Sequence, residues 1–141
     1  STYIYQTISS TANSTINSTF GLSKSSLSNI KITSLKIVMV AKDSDSDITS
    51  SASAVLKQNN TTIATASASS LGTSYSTYIG TGNLSSLDNL TVTITSSGYK
   101  SSSKDDNGYI RITQVYVEII YEETQAGTGL YMKSNGSYAE V

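Results

Sequence analysis

Apolar and polar residues alternate with a period of two through much of the chain, and this pattern predicts strands. Residues 30–41 carry the clearest run of the first half: Leu35, Ile37, Met39 and Ala41 share one face, and Lys36, Val38 and Val40 take the other. Leu90, Val92 and Ile94 alternate with Thr91, Thr93 and Thr95, as in a strand with one buried face. Residues 109–121 form the longest candidate, in which Val115, Val117, Ile119 and Tyr121 alternate with Tyr116, Glu118 and Ile120. Apolar character on both faces predicts a central position for it. Residues 2–8 predict a short strand with Tyr3 and Tyr5 on one face and Ile4 on the other. Residues 53–57 and 62–67 predict a hairpin around Asn59-Asn60, since Asn tolerates left-handed backbone, and residues 75–79 predict a short strand closed by Gly80 and Gly82. Within residues 30–41 no apolar stripe recurs at helical spacing.

Polar stretches punctuate these runs. Residues 9–29, with Phe20 and Leu22, read as a segment crossing the surface; 43–50 read as a turn, 98–108 as a loop and 124–129 as a linker. Asn135-Gly136 predicts the tip of a small hairpin over residues 130–141. The expected fold is all-β: an antiparallel β-sandwich, jelly-roll-like, of about seven or eight strands with a C-terminal β-hairpin. Its expected divisions are an N-terminal strand and surface arm (1–29), the sandwich (30–123), and the linker with its hairpin (124–141).

Composition narrows the function. Charged residues are 13% of the 141, against roughly 25% in an average soluble domain, and Ser and Thr fill about a third of the chain. Net charge is −1 and Lys and Arg are scattered singly, whereas a nucleic-acid binder needs a basic stripe to displace counterions from phosphates. There is no Cys and no His, which removes disulfides, thiolate metal sites and the commonest general base. No run approaches the ~18–20 apolar residues of a membrane-spanning helix, and residues 1–6 lack the basic and apolar regions of a signal peptide. Neither nucleic acid nor membrane insertion is expected.

Four segments carry a likeness to known proteins: "ITSLKIVMVAK" (32–42), "SAVLKQNNTTIATAS" (53–67), "LSSLDNLTVTITSSG" (84–98) and "GYIRITQVYVEIIYEE" (108–123). Together they resemble a β-sandwich module of tail-associated and other minor structural proteins of phages and prophages. The ending "GTGLYMKSNGSYAEV" (127–141) separately resembles the close of many phage tail and fibre proteins. The chain departs from those patterns at Gln114-Val115, where a Gly-Ala or Gly-Val step is usual, and at Tyr138, where Trp is usual. The resemblance implies a role on a particle surface or tail appendage, often with carbohydrate contact, and no catalytic residue. The expected partners are further copies of the chain, other virion proteins and cell-surface carbohydrate. The expected location is the virion surface or the extracellular space.

Individual motifs add candidate sites. Tyr75, Tyr78, Tyr99 and Tyr109 lie in or beside predicted loops, where phenol rings stack on sugars or pack a sandwich rim. Asp43, Asp45 and Asp47 have the alternate spacing that opens a calcium loop. Ile48 stands where an EF-hand needs Gly, and Ala54 where it needs Glu, so a solvated turn is the expectation. Ser101 and Lys104 match Ser-x-x-Lys spacing, but in a Ser-rich loop rather than at a helix start. Glu118, Glu122 and Glu123 offer paired carboxylates for glycoside hydrolysis, but the last two end a strand as solvated charges do. No cofactor and no enzyme activity are expected. Asn13, Asn17, Asn59, Asn60, Asn83, Asn89 and Asn135 begin Asn-x-Ser/Thr sequons. They favour the alternative, a glycosylated extracellular filament or surface-layer subunit assembled by exchange of residues 1–10.

Overall fold

The computed structural model describes residues 4–8, 13–22, 30–101, 107–124 and 131–140. Their regular structure consists of strands: β1 (Ile4–Ile8), β2 (Ser14–Gly21), β3 (Ile30–Asp43), β4 (Ile48–Gln58), β5 (Thr61–Ala68), β6 (Ser76–Gly82), β7 (Leu90–Lys100), β8 (Gly108–Thr124) and β9 (Tyr131–Glu140). One sheet runs β1-β8-β3-β6, with β9 also on β8; the other runs β2-β7-β4-β5. Every pairing is antiparallel.

This order has a simple origin. β4 pairs with β5, β3 with β6, β2 with β7 and β1 with β8, so the first eight strands are one long hairpin rolled upon itself. The β3–β8 and β4–β7 ladders close the roll. The result is a jelly roll, an antiparallel sandwich that covers most of its sheet surface by wrapping. At the tip of the hairpin Gln58 faces Thr61, and Asn59 and Asn60 take φ of 49° and 69°. Positive φ at both positions is the requirement of a two-residue type I′ loop, and Asn meets it cheaply.

Between the sheets lies an apolar core. Leu35, Ile37 and Met39 of β3 and Val115, Val117 and Ile119 of β8 meet Leu56 of β4 and Val92 and Ile94 of β7, all essentially inaccessible. Each such side chain contributes about 1.5–3 kcal/mol by leaving water. β-Bulges keep the alternation in phase with the core. Thr33 is the extra residue between the Ile32 and Ser34 pairings of β3, and the ladder slips again between Val40 and Ala41, opposite Thr113 of β8. On the side where the outermost strands β5 and β6 meet, the sheets approach very closely. A Cβ at Gly80 would overlap the Thr65 carbonyl, and one at Gly82 the Ile63 carbonyl. On the opposite side Gln6 closes the seam: its amide donates to the carbonyl and hydroxyl of Ser14, both at 2.9 Å, and its carbonyl accepts from the Ser96 hydroxyl at 2.7 Å.

Several expectations change, among them the predicted 98–108 loop, whose first residues continue β7 to Lys100. Residues 14–21, read as surface segment, form β2 and complete the second sheet. Their inward Ile16 and Phe20 are only half-buried, so the hydrophobic signal is weak. β4 begins at Ile48, inside the predicted turn. The C-terminal segment is no hairpin: β9 runs continuously through Asn135 and Gly136, which pair with Ile120 and Ile119. An available strand edge on β8 outweighs the local turn preference. Since β3 takes one edge of β8, β1 and β9 lie end to end along the other.

Candidate functional site

Three strands and a loop assemble an aromatic and cationic band at one end of the β1-β8-β3-β6 sheet. On β1 the inward residues are Ile4, Gln6 and Ile8, which turns Tyr5 outward. Tyr5 is paired with Arg111, and Thr7 with Tyr109, so Tyr5 and Tyr109 are diagonal neighbours on adjacent strands. Their rings stack with centroids 4.8 Å apart and planes 21° apart. Across β8, Arg111 is also paired with Lys42 of β3. The Lys42 ammonium lies 5.5 Å from the Tyr109 ring centroid and 5.5 Å from that of Tyr75, within range of attraction by both ring faces. Tyr75 directly precedes β6, whose Ser76 pairs with Ala41, and this brings it level with Lys42. Tyr5 is 56% exposed and Tyr75 46%, so the ends of the band are open to a ligand.

The four tyrosines singled out in the sequence therefore separate. Tyr75 and Tyr109 come together on either side of Lys42. Tyr78 is paired with Met39 and packs against the core. Tyr99 lies on the second sheet, paired with Thr49 and partly exposed. Tyr5 and Lys42 were not signalled as site residues, because only the pairing of β1 and β3 with β8 brings them beside Tyr109.

The aspartate turn is built differently from a calcium loop. Asp43 is 1% exposed, and its Oδ2 accepts a 2.7 Å hydrogen bond from the Ser50 hydroxyl. Its Oδ1 is buried without a hydrogen-bond partner among the described residues. Burial holds its pKa above the ordinary 3.8, against the opposing effects of the Ser50 hydroxyl, the Asp45 N–H and Lys42. Asp45 caps its own turn: its Oδ1 accepts from the Asp47 N–H at 3.0 Å, and its carbonyl accepts from the Ile48 N–H at 3.0 Å. Among the described residues no three acidic side chains converge as a metal site requires. Asp43 is thus folded inward on Ser50 and Asp45 is engaged in its own turn.

Glu118 pairs with Lys36 at 3.4 Å, both partly exposed, and Glu122 is paired with Lys31 across the ladder. The Ser101 hydroxyl donates to the Asp47 carbonyl at 2.9 Å; Lys104 lies outside the described residues. The outer face of the second sheet is a field of hydroxyls. Thr15 bonds Ser97 at 2.9 Å, Thr19 bonds Thr93 at 3.2 Å, and Thr95 donates to Asn17 at 2.7 Å. Beside them a shallow groove of about 320 Å³ is lined chiefly by Ser51, Ser53, Ser67, Ser69 and Thr95. It offers hydrogen bonds but no aromatic face. Of the sequon residues, Asn13 and Asn17 are engaged with Ser97 and Thr95, while the side chains of Asn59, Asn60, Asn83 and Asn89 are exposed.

No protein family, curated protein or solved structure matches the chain. The functional reading accordingly rests on architecture, on the segments quoted above and on the geometry of this band.

Proposed function

We propose that this chain is a non-enzymatic structural component of a bacteriophage virion, in a head or tail appendage, fibre or decoration protein, and that it contributes to attachment to host-surface glycans. The observation that carries this reading is the jelly-roll strand order β1-β8-β3-β6 over β2-β7-β4-β5. That architecture recurs in viral capsid and lectin domains. Because one fold hosts many functions, the surface specifies the role. Two surface features support it. The outermost strands β2 and β6 contain neither a charged residue nor a proline, the usual guards of a free sheet edge, which suits a subunit whose edges meet neighbours. The Tyr5–Tyr109–Lys42–Tyr75 band presents the flat ring faces on which sugars stack.

Light scattering with negative-stain imaging of the purified chain tests the assembly half. Discrete closed oligomers are expected; a chain monomeric at every concentration would count against subunit packing through its own edges. A glycan array probed with the assembled protein tests attachment, and an array without binding removes that half.

The filament alternative draws on a separate feature. β1 is a five-residue strand, and Ile4 and Ile8 are buried against the core, so the same contacts are available to a strand donated by a neighbour. It predicts that truncation before Asn13 abolishes polymerisation; truncated protein that still forms filaments would remove it.

A further inference from the structure

We infer that the band formed by Tyr5, Tyr109, Lys42 and Tyr75 is a binding site for an anionic saccharide, one bearing carboxylate or phosphate groups. The inference rests on the glycan-attachment reading above and names the class of glycan.

The geometry supplies the two components such a ligand needs. Tyr5 and Tyr75, at opposite ends of the band, are about half exposed, so a sugar ring can lie on either phenol. Between them stands a cation at a defined place: the Lys42 ammonium, 5.5 Å from two ring centroids. A lysine flanked by rings has less freedom to lose on binding than one extended into water, which favours a charge-assisted contact with an acidic group. Arg111 stands in the same row, paired with both Tyr5 and Lys42 in the ladders. The carboxylate nearest to Lys42 in sequence, Asp43, is turned to the opposite side of the strand and buried, so it is removed from this face. In a chain of net charge −1, this end of one sheet face therefore holds the Lys42 ammonium among three tyrosines. The band crosses the whole β1-β8-β3-β6 sheet, three inter-strand spacings or about 14 Å, the reach of a short oligosaccharide rather than of one ring. A neutral sugar would use the rings alone; an acidic one uses rings and ammonium together.

The test is binding of the full chain to sensor surfaces coated at high density with oligogalacturonate, phosphomannan, dextran or inorganic polyphosphate, so that many weak contacts add. Wild type is compared with Lys42→Met, which keeps the apolar stem, and with Tyr75→Ala, in a loop outside the Tyr5–Tyr109 stack. Oligogalacturonate or phosphomannan should bind, and comparison of the two separates carboxylate from phosphate. Binding should weaken at least tenfold in Lys42→Met and in 0.5 M salt, and several-fold in Tyr75→Ala, with urea midpoints unchanged. Dextran bound as tightly as the charged glycans, with Lys42→Met neutral, would overturn the anionic assignment while leaving glycan attachment standing. Polyphosphate bound as well as phosphomannan, with Tyr75→Ala neutral, would reduce the site to bare charge and overturn it as a saccharide site. No binding to any saccharide would overturn both the inference and the attachment reading beneath it.

Discussion

Replacement of Gly80 by alanine should unfold the seam between the two sheets. β6 faces inward through Tyr78, Gly80 and Gly82, and at Gly80 a methyl group would overlap the carbonyl carbon and oxygen of Thr65 and stand 2.9 Å from its amide nitrogen. These obstacles are backbone atoms of a strand already paired with β4, so no side-chain rotation relieves them; one sheet must move off the other. Adding a methylene-sized group to a fitted interior costs about 1–3 kcal/mol. An obstacle made of backbone puts Gly80→Ala at the upper end, about 3 kcal/mol. With a urea m-value of about 2 kcal/mol/M, the midpoint should fall by about 1.5 M. Gly21 is the internal control: it also lies in a strand, but a Cβ there meets nothing within 4 Å. Gly21→Ala should be neutral or stabilising by about 0.4–1 kcal/mol, because alanine restricts the unfolded chain. Urea unfolding of the two variants side by side decides the matter. Equal midpoints for Gly80→Ala and Gly21→Ala would refute the close approach of β5 and β6.

Three further expectations concern the core end, the band and the hairpin tip. Asp43 has a raised folded-state pKa, so its contribution to stability is greatest below the unfolded value of about 3.8 and is lost as pH rises through the folded value. Asp43→Asn, which keeps an acceptor for the Ser50 hydroxyl, should therefore gain on wild type in urea midpoint between pH 4 and pH 7; a constant difference across that range would show that Asp43 does not titrate as its burial dictates. A double-mutant cycle of Tyr5→Ala and Tyr109→Ala should give a coupling of about 0.5–1.5 kcal/mol for the stacked rings, and strict additivity would show that the stack does not form in solution. Asn60→Val should cost about 1–2 kcal/mol in thermal or urea unfolding, since a β-branched residue resists the φ of 69° found there, whereas Asn60→Gly should be tolerated.

Much of this architecture is written in the alternation of residue types, including details finer than strand positions. In β3 the inward set shifts phase from Ile30 and Ile32 to Leu35 and Ile37, and in β8 from Ile110 and Ile112 to Val115 and Val117; each shift coincides with an irregularity in the β3–β8 ladder. The Asn59-Asn60 tip is legible for the same kind of reason, because a local backbone requirement selects the residue. The signal fades where the inward side ceases to be apolar. β7 continues to Lys100 through Ser96 and Gly98, both buried yet indistinguishable in sequence from loop residues. β2 lies at the rim of the sandwich, where half-burial asks little of its side chains. The site was readable only in halves. Tyr75 and Tyr109 stand out as aromatic residues near loops, but Tyr5 reaches Tyr109 through a pairing between residues more than a hundred positions apart. Asn135-Gly136 shows the reverse case, a strong local preference overridden by a vacant edge on β8.

The rolled hairpin also dictates an order of events in time. Its tip needs only a two-residue loop, while each successive pair, β3 with β6, β2 with β7 and β1 with β8, closes a longer stretch of chain, and the entropic cost of closure rises with length. Folding should therefore nucleate around Asn59-Asn60 and proceed outward, on the slow millisecond-to-second scale of proteins dominated by non-local pairing. Pulse-labelled hydrogen exchange should protect β4 and β5 before β1. The N-terminal strand would then be the last to dock, leaving the start of β8 open longest in a newly made chain. During that interval a neighbouring copy could occupy the same edge, so the kinetics of one strand would set whether copies of this protein close upon themselves or join.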